Sequence, residues 1–490
     1  MFALSDANFC TKRLHYNITT DNGADVDNDP SCFWKKFVIK VPPLFIYATF
    51  FMQLPSSLQA QEMADVQGPP APVRTSTEPV FVDDEAQADV LSSDSSPLAM
   101  GEEATELATA IELAARTFPT VAAARASERA ARASLGGAKW ARFPGVSLEL
   151  LGGTSGSSSN DYRLSVEQPL WTGGRISGMI KMSRAQVMAS QFALSEVQLD
   201  VAMRVSAAYF EFQRLIQREA ILDESLGEYQ KLVDSMERRV ANEISPAADL
   251  ELARSRAAQV AQEKSITFGQ RRMALTRLRE LTGDPTFSIT SILSYDPAIH
   301  HPDQEGLLEQ ALAFDPKRRK LNADVLVAAA DVQVRKSAIF PQLNAQYEKP
   351  TFGPDRVGVV LRAQTDGGLS RCSAVSVARE RQASAEIALL SNERELREQR
   401  EVDELENAVA KDRAASSSVS ATSATAVTES FMRQFVAGRR TWFDVMNAVR
   451  ESMTARISEV DARISAMASA SRLLMRSGRW TPQAQKDQGQ

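Results

Sequence analysis

Residues able to do acid–base or metal chemistry are few and poorly placed. The chain has three histidines, and two of them, His300 and His301, stand side by side in a polar, proline-containing stretch. No carboxylate or cysteine cluster lies near them at ligand spacing, so they read as loop residues. No glycine-rich phosphate loop and no nucleophile–base set stands out, which speaks against an enzyme and calls for no cofactor or metal. Three charged residues, Asp249, Arg440 and Asp444, stand near breaks in long helical patterns. Asp249 and Asp444 fall at matching places in two halves of the chain, each just after a break in a long helical pattern. The plainest reading of Asp444 and Arg440 is a helix-end ion pair, which contributes little when exposed.

The elements that must position them are long helices. From Arg175 to Ser245 there is no proline, and apolar residues recur every seven positions. Val201, Ala208, Leu215, Leu222, Tyr229 and Met236 form one row. Val205, Phe212, Leu226, Val233 and Val240 form a second, broken by Glu219. A strict seven-residue repeat drives left-handed supercoiling against neighbours. About 70 helical residues make a rod on the order of 100 Å long. From Leu369 to Ala437 there is neither glycine nor proline, which predicts a second rod. Its charged run Asn392–Arg413 reads as a solvated face, and Ala414–Ser430 is rich in Ala, Ser and Thr.

The totals narrow the class. The 490 residues carry a net charge of -6 and are 43% hydrophobic, with no signal for binding nucleic acid. No apolar run beyond the N-terminal region is long enough for a transmembrane helix, though the alternating strands of a β-barrel escape that test. Lys35-Lys36, the apolar run Phe37–Leu54 and the exit Ser56-Ser57-Leu58-Gln59-Ala60 read as a secretory signal cut near Ala60. Cys10 and Cys32 precede that cut, so the mature chain keeps Cys372 and can form no internal disulfide. No cysteine lies at the cut, so no lipid anchor is expected there.

The predicted organisation is a polar lead plus signal peptide over 1–60 and a flexible acidic, Pro/Ser-rich segment over 61–103. A first repeat covers 104–285, with helices, a β-hairpin at 146–171, a long helix at 174–244 and a helix at 247–281. A linker at 286–305 leads to a second repeat over 306–477, with helices, a hairpin at 343–364, a long helix at 368–437 and a helix at 441–475. A polar tail occupies 478–490. The halves are alike in detail. Phe118-Pro119 and Phe143-Pro144 recur as Asp315-Pro316 and Phe340-Pro341, and Gly173-Gly174 recurs as Gly367-Gly368. Val240-Ala241-Asn242-Glu243 matches Val436-Ala437-Gly438-Arg439, with Asp249 and Asp444 one gap later. In the hairpins Val146, Leu148, Leu150, then Tyr162, Leu164, Val166, then Leu343, Ala345, Tyr347, then Val357, Val359, Leu361 alternate with mainly polar or small neighbours. Four strands cannot close in lipid, so either the sheets are soluble or several chains pool them.

These features together resemble the TolC family of Gram-negative outer-membrane efflux and type I secretion channels. The carriers are the two Pro-marked repeats, the run from Val166 to Arg175, and the run from Phe435 to Ala448. The resemblance covers about Ala104 to Met475. It implies a mainly α protein with a small membrane β-barrel. Long coiled-coil helices in two structural repeats and four strands per chain would assemble as a homotrimeric α/β barrel. The implied partners are a periplasmic adaptor (membrane fusion protein), an inner-membrane transporter of ABC or RND type, and outer-membrane lipid. The implied function is a passive exit duct gated at its periplasmic end. Asp444 falls on the family's aperture acid and Arg440 on its latch arginine, with Asp249 on the acid that holds the latch. Phe435 replaces a tyrosine and Asn447 a second aperture acid, which implies a looser lock and a weaker cation block. Tyr162, Trp171 and Tyr347 would serve as membrane-girdle aromatics, plain packing being the alternative for each. Trp442 and the residues to Glu451 resemble the branch that exports large adhesins. A periplasmic coiled-coil scaffold or adaptor is the alternative reading of the same helices.

Overall fold

The computed structural model describes residues 102–151, 161–298, 300, 302, 306–364 and 370–479. The signal peptide, nearly all of the acidic lead, the first hairpin turn, Gly367-Gly368, His301 and most of the polar tail lie outside the described residues.

Twelve elements follow one another among these residues. They are α1 (Glu102–Thr117), α2 (Pro119–Trp140), β1 (Gly145–Leu151), β2 (Asp161–Trp171), α3 (Arg175–Ala241), α4 (Ala247–Thr282), α5 (Leu307–Phe314), α6 (Pro316–Ser337), β3 (Gln342–Pro350), β4 (Arg356–Arg362), α7 (Ser370–Val436) and α8 (Trp442–Ser477). The second six retrace the first six. Proline opens both α2 and α6, where its missing N–H costs nothing. Asp315 also caps α6 by accepting the Arg318 N–H at 2.7 Å.

The four strands form one antiparallel sheet in the order β1-β2-β3-β4, so the middle pairing joins the two repeats. Leu148 stands opposite Leu164, Val166 opposite Tyr347, and Tyr347 opposite Val357. Register slips between Pro169 and Trp171, where a proline has no N–H to give the ladder.

The first heptad row is the core of α3: Val201, Ala208, Leu215, Leu222, Tyr229 and Met236 are all buried. Glu219, the break in the second row, is paired with Arg271 of α4 at 2.5 Å. The linker is a strap laid across helices. The Thr290 and Ser291 hydroxyls each donate to Glu106 of α1 at 2.7 Å, and the buried Gln213 of α3 donates to the Ser291 carbonyl at 2.8 Å. His300 is buried in this strap and stacked on Tyr295, its Nδ1 against the Asp296 backbone.

Two expectations change. The charged run of α7 is not simply a solvated face, because Asn392, Asp403 and Asn407 are buried. Asp403 meets Arg476 at 2.5 Å and Arg472 at 3.3 Å, and Asn407 donates to Ser469 Oγ at 2.9 Å. A buried carboxylate is tolerated there because two guanidiniums share it. Replacing it by alanine leaves both with one anion fewer. Asp403→Ala is therefore expected to lower stability by about 2–4 kcal/mol, the usual range trimmed for the partial exposure of both arginines. The fall would be read as a drop in Tm.

The second change concerns the tips. The expected 174–244 helix ends at Ala241, because Glu243 turns left-handed at φ 55 and Ile244 N–H closes back onto Arg239 O at 2.8 Å. At the other tip Gly438 is left-handed at φ 70 and Arg439 N–H closes onto Gln434 O at 2.8 Å. Glu243 thus matches Gly438, one position from the sequence pairing. The same offset carries Asp249 to Asp444 with no gap.

Candidate functional site at the helix tips and the strand wall

The tips hold the charged residues singled out above. α8 begins after Thr441, whose hydroxyl accepts the Asp444 N–H at 3.2 Å and donates to Asp444 Oδ2 at 2.8 Å. Asp444 is therefore held by its own helix cap, where a carboxylate also suits the helix dipole. Arg440 stays with its own hairpin. Its guanidinium lies 4.2 Å from the centre of the Phe431 ring, 3.3 Å from Gln434 Oε1 and 3.8 Å from Asp444.

The expected Arg440–Asp249 link is not made. Asp249 Oδ2 instead accepts the Trp442 indole N–H at 3.0 Å, across the gap between α4 and α8. The physical reason is direction: Arg440 lies in the turn and folds back onto α7, whereas Trp442 opens α8 and packs partly into the core beside α4. Phe435 is buried with the Arg239 guanidinium 5.4 Å above its ring. Asn447 is exposed on α8. A buried phenol joins the two halves further in: Tyr229 donates to the Met446 carbonyl at 3.3 Å, and burial pushes its pKa up, keeping it a neutral donor. Sequence reading noticed Trp442 but not its role. A tryptophan one position past a helix cap, with an acid in the matching first turn of α4, was the available signal.

The sheet has two unlike faces. On one, Val146, Leu148, Leu150, Val357, Val359 and Leu361 are all exposed. On the other, Arg163 lies between Glu149 at 3.6 Å and Glu348 at 3.3 Å, Arg362 reaches Glu167 at 3.3 Å, and Ser147 shares a hydrogen bond with Ser165 at 2.6 Å. An apolar face open to the outside and a paired polar face within are what lipid and water respectively require.

Tyr162 and Trp171 stand at opposite ends of β2. Nine residues at ~3.3 Å each, tilted by about 40°, separate them by roughly 23 Å along a barrel axis, near the height of an apolar band. Tyr347 stands between those levels, opposite Val166, and its hydroxyl reaches toward the distal turn to donate to Asp355 at 2.9 Å. Phe143 and Phe340, read above only as repeat markers, are exposed at the proximal end, with Phe340 edge-on to Trp171.

The chain therefore pairs long helices with a small sheet that is apolar on one face and polar on the other. Residues 110–284 match the family described as outer membrane efflux protein. The chain is 26% identical over 202 residues to the pyoverdine export outer membrane protein OpmQ of Pseudomonas aeruginosa; the match takes in 39% of this chain and spans 42% of that relative's length. The fold matches VceC of Vibrio cholerae with a TM-score of 0.66 at 16% identity, over 76% of this chain and 96% of that one. It matches the CmeC outer membrane channel of Campylobacter jejuni with a TM-score of 0.65 at 15% identity, over 78% and 88%. The first repeat thus matches the outer membrane efflux protein family, and the fold as a whole is that of these solved outer-membrane channels.

Proposed function

We propose that three copies close into a duct that crosses the outer membrane and continues through the periplasm as a helical tunnel, closed at rest by its tips. The observation that carries this is the pair of open sheet edges. Among the described residues β2 of the first repeat pairs with β3 of the second, but β4 has no following strand and β1 no preceding one. Another copy's β1 beside β4 repeats the β2–β3 pairing and removes both edges. Two copies would give eight strands, an interior that side chains fill, whereas three give twelve and leave a lumen. The helices agree. Ser337 at the end of α6 is 1% exposed, but Trp140, its counterpart at the end of α2, is 70% exposed. A neighbouring copy covers Trp140 as α3 covers Ser337.

The duct does no chemistry. It takes cargo from an inner-membrane transporter through a periplasmic adaptor, and the transporter supplies the energy. At the tips Trp442–Asp249 ties α8 to α4. Three Asp444 carboxylates around the axis favour cations, more weakly than two acidic rings would because Asn447 is neutral. Small-molecule export is supported by the likeness to a pyoverdine exporter, and the adhesin-export reading rests on the tip residues alone.

Light scattering on detergent extracts of the outer membrane tests the assembly. A trimer is expected, and Trp140→Ala should lower its dissociation temperature while leaving the fold of each chain intact. A soluble periplasmic monomer or dimer would sink the duct and leave a helical scaffold.

A further inference from the structure

Three helix pairs of the two repeats match in length, α2 and α6 with 22 residues each, α3 and α7 with 67, and α4 and α8 with 36. In the first repeat Phe118 and Val197 pack against the apolar core. The second repeat has Asp315 and Asn392 at those two places. The exchange removes apolar volume and leaves a cavity of about 210 Å³ walled by α3, α5, α6, α7 and α8. Leu199, Leu307, Leu396 and Leu473 supply its apolar lining.

Its polar groups are unevenly committed. Arg476 is taken by Asp403, Lys317 by Glu395, and Arg400 by Glu404. Asp315 accepts the helix-cap bond and makes no ion pair within 4.0 Å among the described residues. Asn392 lines the same cavity and is 3% exposed; its Nδ2 is turned toward the Asp315 carboxylate, and its Oδ1 has no hydrogen-bond partner among the described residues. A buried amide left open is costly and calls for a partner. The open functions are a carboxylate and an amide oxygen, both acceptors, at one end of an apolar hollow. That end suits a multiple donor with positive charge, and the leucines suit a short hydrocarbon body.

We propose that this cavity binds a small primary ammonium compound with an apolar body, its cationic head on Asp315 and Asn392 Oδ1. The site is walled by one chain alone, so it stands independently of the channel reading.

The test is calorimetric titration of the full-length, detergent-purified protein in its native assembly with hexylammonium, hexanol and hexanoate. Hexylammonium is expected to saturate with Kd about 0.1–1 mM, at least about tenfold tighter than hexanol, with hexanoate not binding. Asp315→Asn keeps the helix cap and should weaken hexylammonium about tenfold or more while sparing hexanol. Asn392→Leu restores apolar volume and should abolish binding of both while raising Tm. Equal affinity for hexylammonium and hexanol, or no saturation by about 10 mM, would overturn the proposal and leave the cavity to water. Binding that survives Asn392→Leu would place the ligand elsewhere and overturn it equally.

Discussion

Trp442→Phe is expected to open the resting channel. The phenylalanine keeps a ring in the partly buried position but loses the N–H that Asp249 accepts at 3.0 Å. A hydrogen bond to a charged acceptor is worth about 1.5–3 kcal/mol, less where water competes, so about 1–2 kcal/mol per copy is a fair figure. If the tips of three copies open together, the loss reaches about 3–6 kcal/mol, a shift of at least a hundredfold toward the open state. Single-channel conductance in planar bilayers should rise, and cells should leak large antibiotics. Asp249→Asn removes the charge but keeps an acceptor, so it should open the channel less. Arg440→Ala supplies the contrast. Arg440 contacts Phe431, Gln434 and Asp444 within its own hairpin, so its loss should change conductance little. An arginine variant that opens while Trp442→Phe stays shut would return the link to the pairing that family resemblance implies, and would remove Trp442 from the gate.

Val359→Arg is expected to abolish assembly in the membrane. Val359 is 63% exposed on the apolar face of β4, opposite Ala345 and away from both ends of the strand. A guanidinium near the middle of the lipid face of a barrel costs about 2–4 kcal/mol, and each of three copies would carry it. Gln346→Arg adds the same charge on the opposite face, where Arg163, Glu348, Arg362 and Glu167 already form ion pairs, so it should be tolerated. The reading is the yield of heat-resistant oligomer in the outer-membrane fraction, lost for Val359→Arg and retained for Gln346→Arg. Equal tolerance of both would mean that neither face meets lipid.

Much of this architecture was legible in local pattern. A seven-residue period from Val201 to Met236 names the buried stripe of α3 because a helix repeats its faces at nearly that spacing. Alternation in the hairpins names the apolar and polar faces of the sheet because a strand repeats every two residues. The Phe-Pro and Asp-Pro pairs set helix starts because proline removes a donor that a helix does not use there. The α7 stripe was not legible in this way. Asn392, Asp403 and Asn407 look like solvated residues in a charged run, and only the approach of Arg472, Arg476 and Ser469 from α8 makes two of them affordable inside.

The tips show the same division. Sequence by itself determined that Asp249 and Asp444 fall at matching places just after breaks in the helical pattern, since that follows from spacing along the chain. It did not determine which donor reaches Asp249. Arg440 and Trp442 are two residues apart, and each can donate to a carboxylate. Their side chains leave the turn in different directions, and the left-handed residue at Gly438 sends one back over α7 and the other toward α4. Local rules act over a few residues, whereas the Trp442–Asp249 bond spans 193 positions. Only the packing of α8 against its neighbours brings those two atoms together, so the tertiary structure alone assigns the link.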